Sequence, residues 1–225
     1  MIRQTPKFLC LIIDSVPHAA WQETYEVHRR IWQKCLDRHP EIDGYFLRAD
    51  PKLSAEHVIE PRCFSVRGEE RFNTILFKTL RAVEVLLADH DYVIRTNISS
   101  IYDFEMLLRE DLPRKALYTG HVINGHFVSG SGMILSRDVA QKLVLPVPAL
   151  ALDACDDIAI WQILTAHGIA MQHRPMFMYD YSRGHEQLVI GKHVHYRLRD
   201  EHDPQRALER EVTERVFAEL YRERD

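Results

Sequence analysis

Six consecutive apolar residues, FLCLII at Phe8–Ile13, are followed at once by Asp14 and Ser15. A short run without alternation is the pattern of a strand buried on both faces, which belongs in a parallel sheet covered by helices. This segment constrains the fold more than any composition figure, because both of its faces must be covered by further elements. The chain has candidates for them. Over residues 69–89, Phe72, Leu76, Thr79, Leu80, Val83 and Leu87 recur at helical spacing, which predicts an amphipathic helix. Residues 92–94 read as the next buried strand.

Weaker signals fill in the remainder. Trp21, Tyr25, Ile31, Cys35 and Leu36 fit a helix that Pro40 closes, after a loop through Pro17, and Tyr45, Phe46 and Leu47 read as a strand. A short helix opens at Phe104. Tyr118, Thr119 and Gly120 form one strand pattern and Met133, Ile134 and Leu135 another, followed by a helix capped by Ser136 or Asp138. Asp153, Asp156 and Asp157 precede the helical run IAIWQILTAHG, with Gly168 as its stop. From Pro204 onward a charged helix sets Leu208, Val212, Val216 and Leu220 along one side. Alternating strands and helices predict an α/β protein with a mixed, mainly parallel Rossmann-like sheet flanked by helices. With 225 residues, 46% of them apolar, the expectation is one domain over residues 1–200, with the helix of residues 201–225 packed on it.

Composition excludes little but directs attention to sites. A net charge of -4 gives no overall handle for nucleic acid or an anionic membrane. Cys10, Cys35, Cys63 and Cys155 are widely spaced and show no CxxC pairing, which fits reduced thiols and a cytoplasmic location. The first apolar run is too brief for a membrane span or a signal sequence.

In open α/β sheets, ligands bind outside the carboxyl ends of the strands, so polar residues there are the first candidates for chemistry. Asp14 and Ser15 are either turn formers or site residues. The stretch Arg95, Thr96, Asn97, Ile98, Ser99, Ser100 is either a loop start or a ligand contact. Ser129, Gly130, Ser131 and Gly132 make either a tight turn needing positive φ or a small-residue floor under a substrate. Asp156 and Asp157 either cap a helix or include a general base. His193, His195 and Arg197 alternate, so an extended backbone turns all three to one face, either as a solvated strand or to hold a metal or phosphate.

Taken in order, these segments resemble the β-1,3-galactosyltransferase and Fringe-type glycosyltransferases. Phe72, Asn73, Lys78 and Thr79 fall on that family's Y-x-N-L-T-x-K-T segment, and Arg95 to Ser99 on its K-T-D-D-D strand end. Arg29 and Trp32 sit where it has R-x-T-W. VSGSGMILSRDVAQKL resembles its C-S-G-G-G-Y-V-L-S-R-D, and DDIAIWQILTAHGI its E-D-V-x-x-G-x-x-L-x-x-x-G-I. The resemblance spans most of residues 29–169 and implies a GT-A fold, a nucleoside-diphosphate sugar donor and inverting transfer to an acceptor hydroxyl. It implies Asp157 as general base with Asp156 beside it. Donor contacts are then expected from Asp14, Ser15, Arg29, Lys78, Arg95, Asn97, Ser99, Ser129, Gly130, Ser131, Gly132 and Arg197.

Two departures refine these expectations. No membrane anchor is seen, unlike the animal members, so the expected acceptor is a polysaccharide or glycolipid built by a soluble microbial or viral-type enzyme. The family's metal-binding D-x-D is here Asn97-Ile98-Ser99, which carries no charge to offset a cation. Either Mn²⁺ or Mg²⁺ binds weakly through Asn97, Ser99, His193 and His195, or Arg95, His193, His195 and Arg197 neutralise the leaving diphosphate themselves. The rival readings are a sugar- or nucleotide-binding protein that has lost activity, and a metal-dependent hydrolase or nucleotidyltransferase using Asp14, Asp156 and the histidines.

Overall fold

β1 (Phe8–Ile13) is buried along its whole length, as its unbroken apolar run requires. The computed structural model describes residues 5–15, 19–71, 73–145, 154–183, 187–203 and 205–222. Pro17, Phe72, Asp153 and Pro204, each given a part in the sequence pattern, lie outside them. After β1 come α1 (Gln22–Arg38), β2 (Ile42–Asp50), β3 (His57–Glu60), β4 (Cys63–Arg67), α2 (Thr74–Leu86), β5 (Tyr92–Asn97), β6 (Ser100–Tyr102) and α3 (Phe104–Leu108). β7 (Tyr118–Ile123), β8 (Phe127–Ser136), α4 (Arg137–Leu143), α5 (Asp156–Ala166), β9 (Gln172–His173), β10 (Phe177–Met178), β11 (His195–Arg197) and α6 (Ala207–Leu220) complete the α/β pattern.

The chain divides into two compact units. The first comprises Met1–Val16, Glu41–Asn97 and Asp111–Arg174, and holds an eight-stranded sheet in the order β3-β4-β2-β1-β5-β8-β7-β9. β1 pairs in parallel with β2 and β5, and β4 in parallel with β2, while β8 runs antiparallel to β5. The register sets Ile13 opposite both Leu47 and Asn97, so β1 and β5 end flush at their carboxyl ends while β2 runs on to Asp50. Leu9, Leu11 and Ile13 point into a core shared with Leu76 and Val83 of α2, Val139 of α4, and Ile160 and Leu164 of α5. All four cysteines are free thiols. Gly168 lies just past α5 with φ +71, the left-handed stop its position predicts.

Several expectations change. The amphipathic helix is shorter than residues 69–89, because α2 ends at Leu86 and a 3-10 turn carries residues 87–89. Ser129 to Gly132 lie within β8, and Gly130 and Gly132 do not have the positive φ a tight turn would need. The hairpin β3–β4 was not legible as strands, since β3 is an edge strand with no buried residue.

The second unit comprises Pro17–Pro40, Ile98–Glu110 and Pro175–Asp225. Its sheet has the order β10-β11-β6, and α6 packs on α1. Trp32 is fully buried and donates its indole N–H to the Ile98 carbonyl at 2.9 Å. Leu208 is 50% exposed, against the stripe expected along α6; Glu209 occupies the buried side with Val212, Thr213 and Val216. Glu209 is 0% exposed and tolerable there because it accepts from His28 Nε2 at 2.8 Å, Arg206 Nε at 2.6 Å and the Asp200 N–H at 2.8 Å. Burial holds the His28 imidazole below its ordinary pKa, with Glu209 opposing. Among the described residues no helix is long and apolar enough to cross a membrane.

Glu209→Ala leaves Arg206 and His28 buried without their acceptor, so it should cost about 3 kcal/mol or more. Chemical denaturation followed by tryptophan fluorescence measures this, and a loss under about 1 kcal/mol would assign the cluster no structural weight.

Candidate functional site

The polar groups of the first unit gather where β1 and β5 end, beside Leu47 to Ala49 of β2. Asp14 leaves β1 through an N–H bond to the Leu47 carbonyl at 3.1 Å, and its Oδ2 accepts from Arg48 Nε at 2.6 Å. Lys78 projects from the buried side of α2 and is 0% exposed. An ammonium at such a depth needs an acid, and Glu70 provides one, its Oε1 lying 2.6 Å from Lys78 Nζ. Glu70 also accepts from Ser15 Oγ at 3.1 Å and from the Ala49 N–H at 2.9 Å. Burial lowers the Lys78 pKa while Glu70, and then Asp14, oppose the fall.

Arg95 is the counterpart at the end of β5. Its guanidinium is buried, pairs with Asp156 at the start of α5, and donates from Nη1 to Asn97 Oδ1 at 3.1 Å. Asp156 is 7% exposed; burial raises its pKa, Arg95 opposes the rise, and the neighbouring Asp157 adds to it. Asp157 is half-buried, and its Oδ2 accepts the Gly130 N–H at 3.2 Å while Oδ1 accepts from Ile158 at 2.9 Å. Glycine at 130 is a requirement of this packing. A Cβ there would stand 2.7 Å from Arg95 Nη1 and 3.3 Å from the Asp157 Cβ. Thr96 Oγ1 donates to the Ser131 carbonyl at 2.7 Å, which ties β8 to β5, and within β8 the Ser129 and Ser131 hydroxyls are 2.9 Å apart.

Eleven of the expected residues therefore belong to the first unit: Asp14, Ser15, Lys78, Arg95, Asn97, Ser129, Gly130, Ser131, Gly132, Asp156 and Asp157. Arg29, Ser99, His193, His195 and Arg197 belong to the second. There Ser99 Oγ accepts from the Arg197 guanidinium, and His195 is buried and stacked on Tyr102 at 4.6 Å. His193 is half-buried near the rings of Phe177 and Tyr196. Arg48 and Glu70 were missed. A lysine on the apolar stripe of α2 was the available signal for Glu70, since burial of Lys78 demands a carboxylate nearby.

The suitability of Asn97 and Ser99 for a cation can be tested on their contacts. Each oxygen accepts a hydrogen bond from an arginine, an environment built for negative rather than positive charge. They do not fit Mn²⁺ or Mg²⁺ in this arrangement. Among the described residues no group of three or more His, Cys, Asp or Glu side chains is placed to hold a metal.

A scan against protein-family models finds no match, and a search of curated proteins finds no significant relative.

Replacing Arg95 by leucine leaves Asp156 under burial and the Asp157 charge, opposed only by backbone N–H groups. The folded state then holds a proton that the unfolded chain releases above the ordinary carboxylate range, so stability falls as pH rises through that window. Arg95→Leu should lose about 3 kcal/mol or more near pH 7 and distinctly less near pH 5. Urea denaturation at both pH values checks this, and equal losses would show that the buried Asp156 charge is not the cause.

Proposed function

We propose that this chain is an inverting glycosyltransferase that uses a nucleoside-diphosphate sugar, with Asp157 as its general base. The acceptor hydroxyl gives its proton to Asp157 as its oxygen attacks the anomeric carbon. The bond from that carbon to the diphosphate breaks on the opposite face, and the diphosphate leaves with the electron pair. The acceptor class proposed is a polysaccharide or glycolipid.

One observation carries this reading. Of the two adjacent acids, Asp156 is spent on Arg95 inside the protein, whereas Asp157 stays half-buried at the ends of the central strands, oriented by the Gly130 N–H. A base needs such a fixed orientation together with access to a substrate. The ordered motif resemblance and the parallel strands β1 and β5 ending in register support it further. The chemistry proposed is confined to these side chains, because Asn97 and Ser99 suit a cation poorly.

A second observation favours the rival reading, a nucleotide-sugar-binding protein without transfer. Arg48, Lys78 and Arg95 are each already paired, with Asp14, Glu70 and Asp156 respectively. An incoming diphosphate finds no unpaired cation among these three.

Asp157→Asn keeps the shape of the side chain and removes its basicity. Transfer, read as nucleoside diphosphate released in the presence of acceptor, should fall about a hundredfold or more, with donor affinity within about twofold of the parent by calorimetry. Turnover retained in this variant removes Asp157 from the mechanism. Donor binding by the parent without transfer to any saccharide or glycolipid acceptor decides for the binding protein. A thermal-shift panel of uridine, guanosine, thymidine and cytidine nucleotides and their sugars, with Mn²⁺ and with chelator, identifies the donor by mass action.

A further inference from the structure

The second unit contains a cavity of about 330 Å³ beside β10 and β11, lined in part by Tyr179, Tyr181, Arg197, Arg199, Glu201 and His202. None of the chemistry above uses it. Its charges are unequal in their commitments. Asp180, also on the lining, has its Oδ1 engaged by the N–H of Ser182 at 3.0 Å and by the Ser182 hydroxyl at 2.6 Å, so it serves its own turn. Glu201 Oε1 lies 3.5 Å from Arg199 Nε. Arg197 has no carboxylate within ion-pair distance among the described residues; its guanidinium donates to the Ser99 hydroxyl, and Glu201 and Glu209 act on it only from farther away. Burial and the neighbouring Arg199 press its pKa down to about 10.

A half-buried guanidinium without a carboxylate is a ready partner for an anion. Arg197 and Arg199 provide two forks for an oxyanion, which can take a carboxylate or a phosphate in bidentate fashion. The remaining wall is aromatic. The Tyr179 and Tyr181 rings lie 4.7 Å apart at 59°, and the Tyr181 hydroxyl donates to the Leu198 carbonyl at 2.5 Å, which fixes the ring. Met178, 56% exposed, extends the apolar surface at the mouth. Two angled rings beside two guanidinium forks match a compact ring with apolar C–H faces and one anionic substituent. A flexible acyl chain would find too little apolar lining here, and a bare inorganic anion would leave the rings unused.

We propose that this cavity binds an anionic saccharide, a pyranose bearing a carboxylate or a phosphate, with the anionic group on Arg197 and Arg199 and the ring against Tyr179 and Tyr181. Binding is measured without any transfer assay, so its failure leaves the reading of Asp157 untouched.

The full chain, labelled with nitrogen-15, is titrated by NMR with D-glucuronate, glucose 6-phosphate, glucose and inorganic phosphate. At least one anionic sugar should bind in the millimolar range or tighter, about tenfold more tightly than both glucose and inorganic phosphate. Preference for glucuronate identifies a uronic acid as the source, and preference for glucose 6-phosphate a sugar phosphate. Arg199 is half-exposed, so Arg199→Gln should fold normally and weaken the anionic sugar about tenfold without changing glucose. Arg197→Lys, which keeps the charge and loses the fork, should weaken it as well. Absence of binding by both anionic sugars, equal binding of glucose, equal binding of inorganic phosphate, or an unchanged affinity in Arg199→Gln overturns the proposal.

Discussion

An arginine cannot be buried at the end of a central strand without a counter-charge, and the first unit is arranged around meeting that demand for Arg95. The desolvation of an unpaired guanidinium or carboxylate amounts to several kcal/mol even after relaxation. Asp156 meets it from the first residue of α5, so the ion pair fixes where that helix begins relative to β5. Everything near the strand ends inherits this placement. Gly130 must lack a side chain to let the guanidinium pass, and Asp157, next in the chain, arrives beside the Gly130 N–H because Asp156 has already been located.

The same logic recurs with different partners. Lys78 rests on Glu70 under α2, and Glu209 collects three donors inside the second unit. Such pairs add little net stability compared with a well-packed apolar core, but each admits few alternative arrangements. Arg197 departs from the pattern, meeting a hydroxyl rather than a carboxylate.

The fold was legible where burial leaves a simple trace in the sequence. The unbroken run of β1, the helical spacing of α2 and the stop at Gly168 each follow from one local rule. β3 and β4 escaped notice because β3 is an edge strand without a buried residue, and β4, joined to it through Arg62 in the left-handed region, has its apolar residues Cys63, Phe64 and Val66 interrupted by Ser65. Leu208 and Glu209 exchanged their expected places because a buried carboxylate is decided by His28 and Arg206, and His28 is remote in sequence. The site shows the same division. Local reasoning picked out Asp14, Arg95 and the Asp156-Asp157 pair as polar residues at strand and helix ends. It did not find Arg48 or Glu70, nor which of the two acids is tied to Arg95, because those pairings bridge separate segments.

The division of the chain into interleaved segments has a consequence for synthesis. β6, near the middle of the sequence, pairs with β11, and α1, near its start, packs on α6. As the chain emerges from the ribosome, the first unit has all its segments by Arg174, while α1 and β6 must wait for the stretch after Arg174 that carries their partners. Until then α1 lacks the helix that packs against it. The second unit therefore assembles only after the segments beyond Arg174 have been made, later than the first.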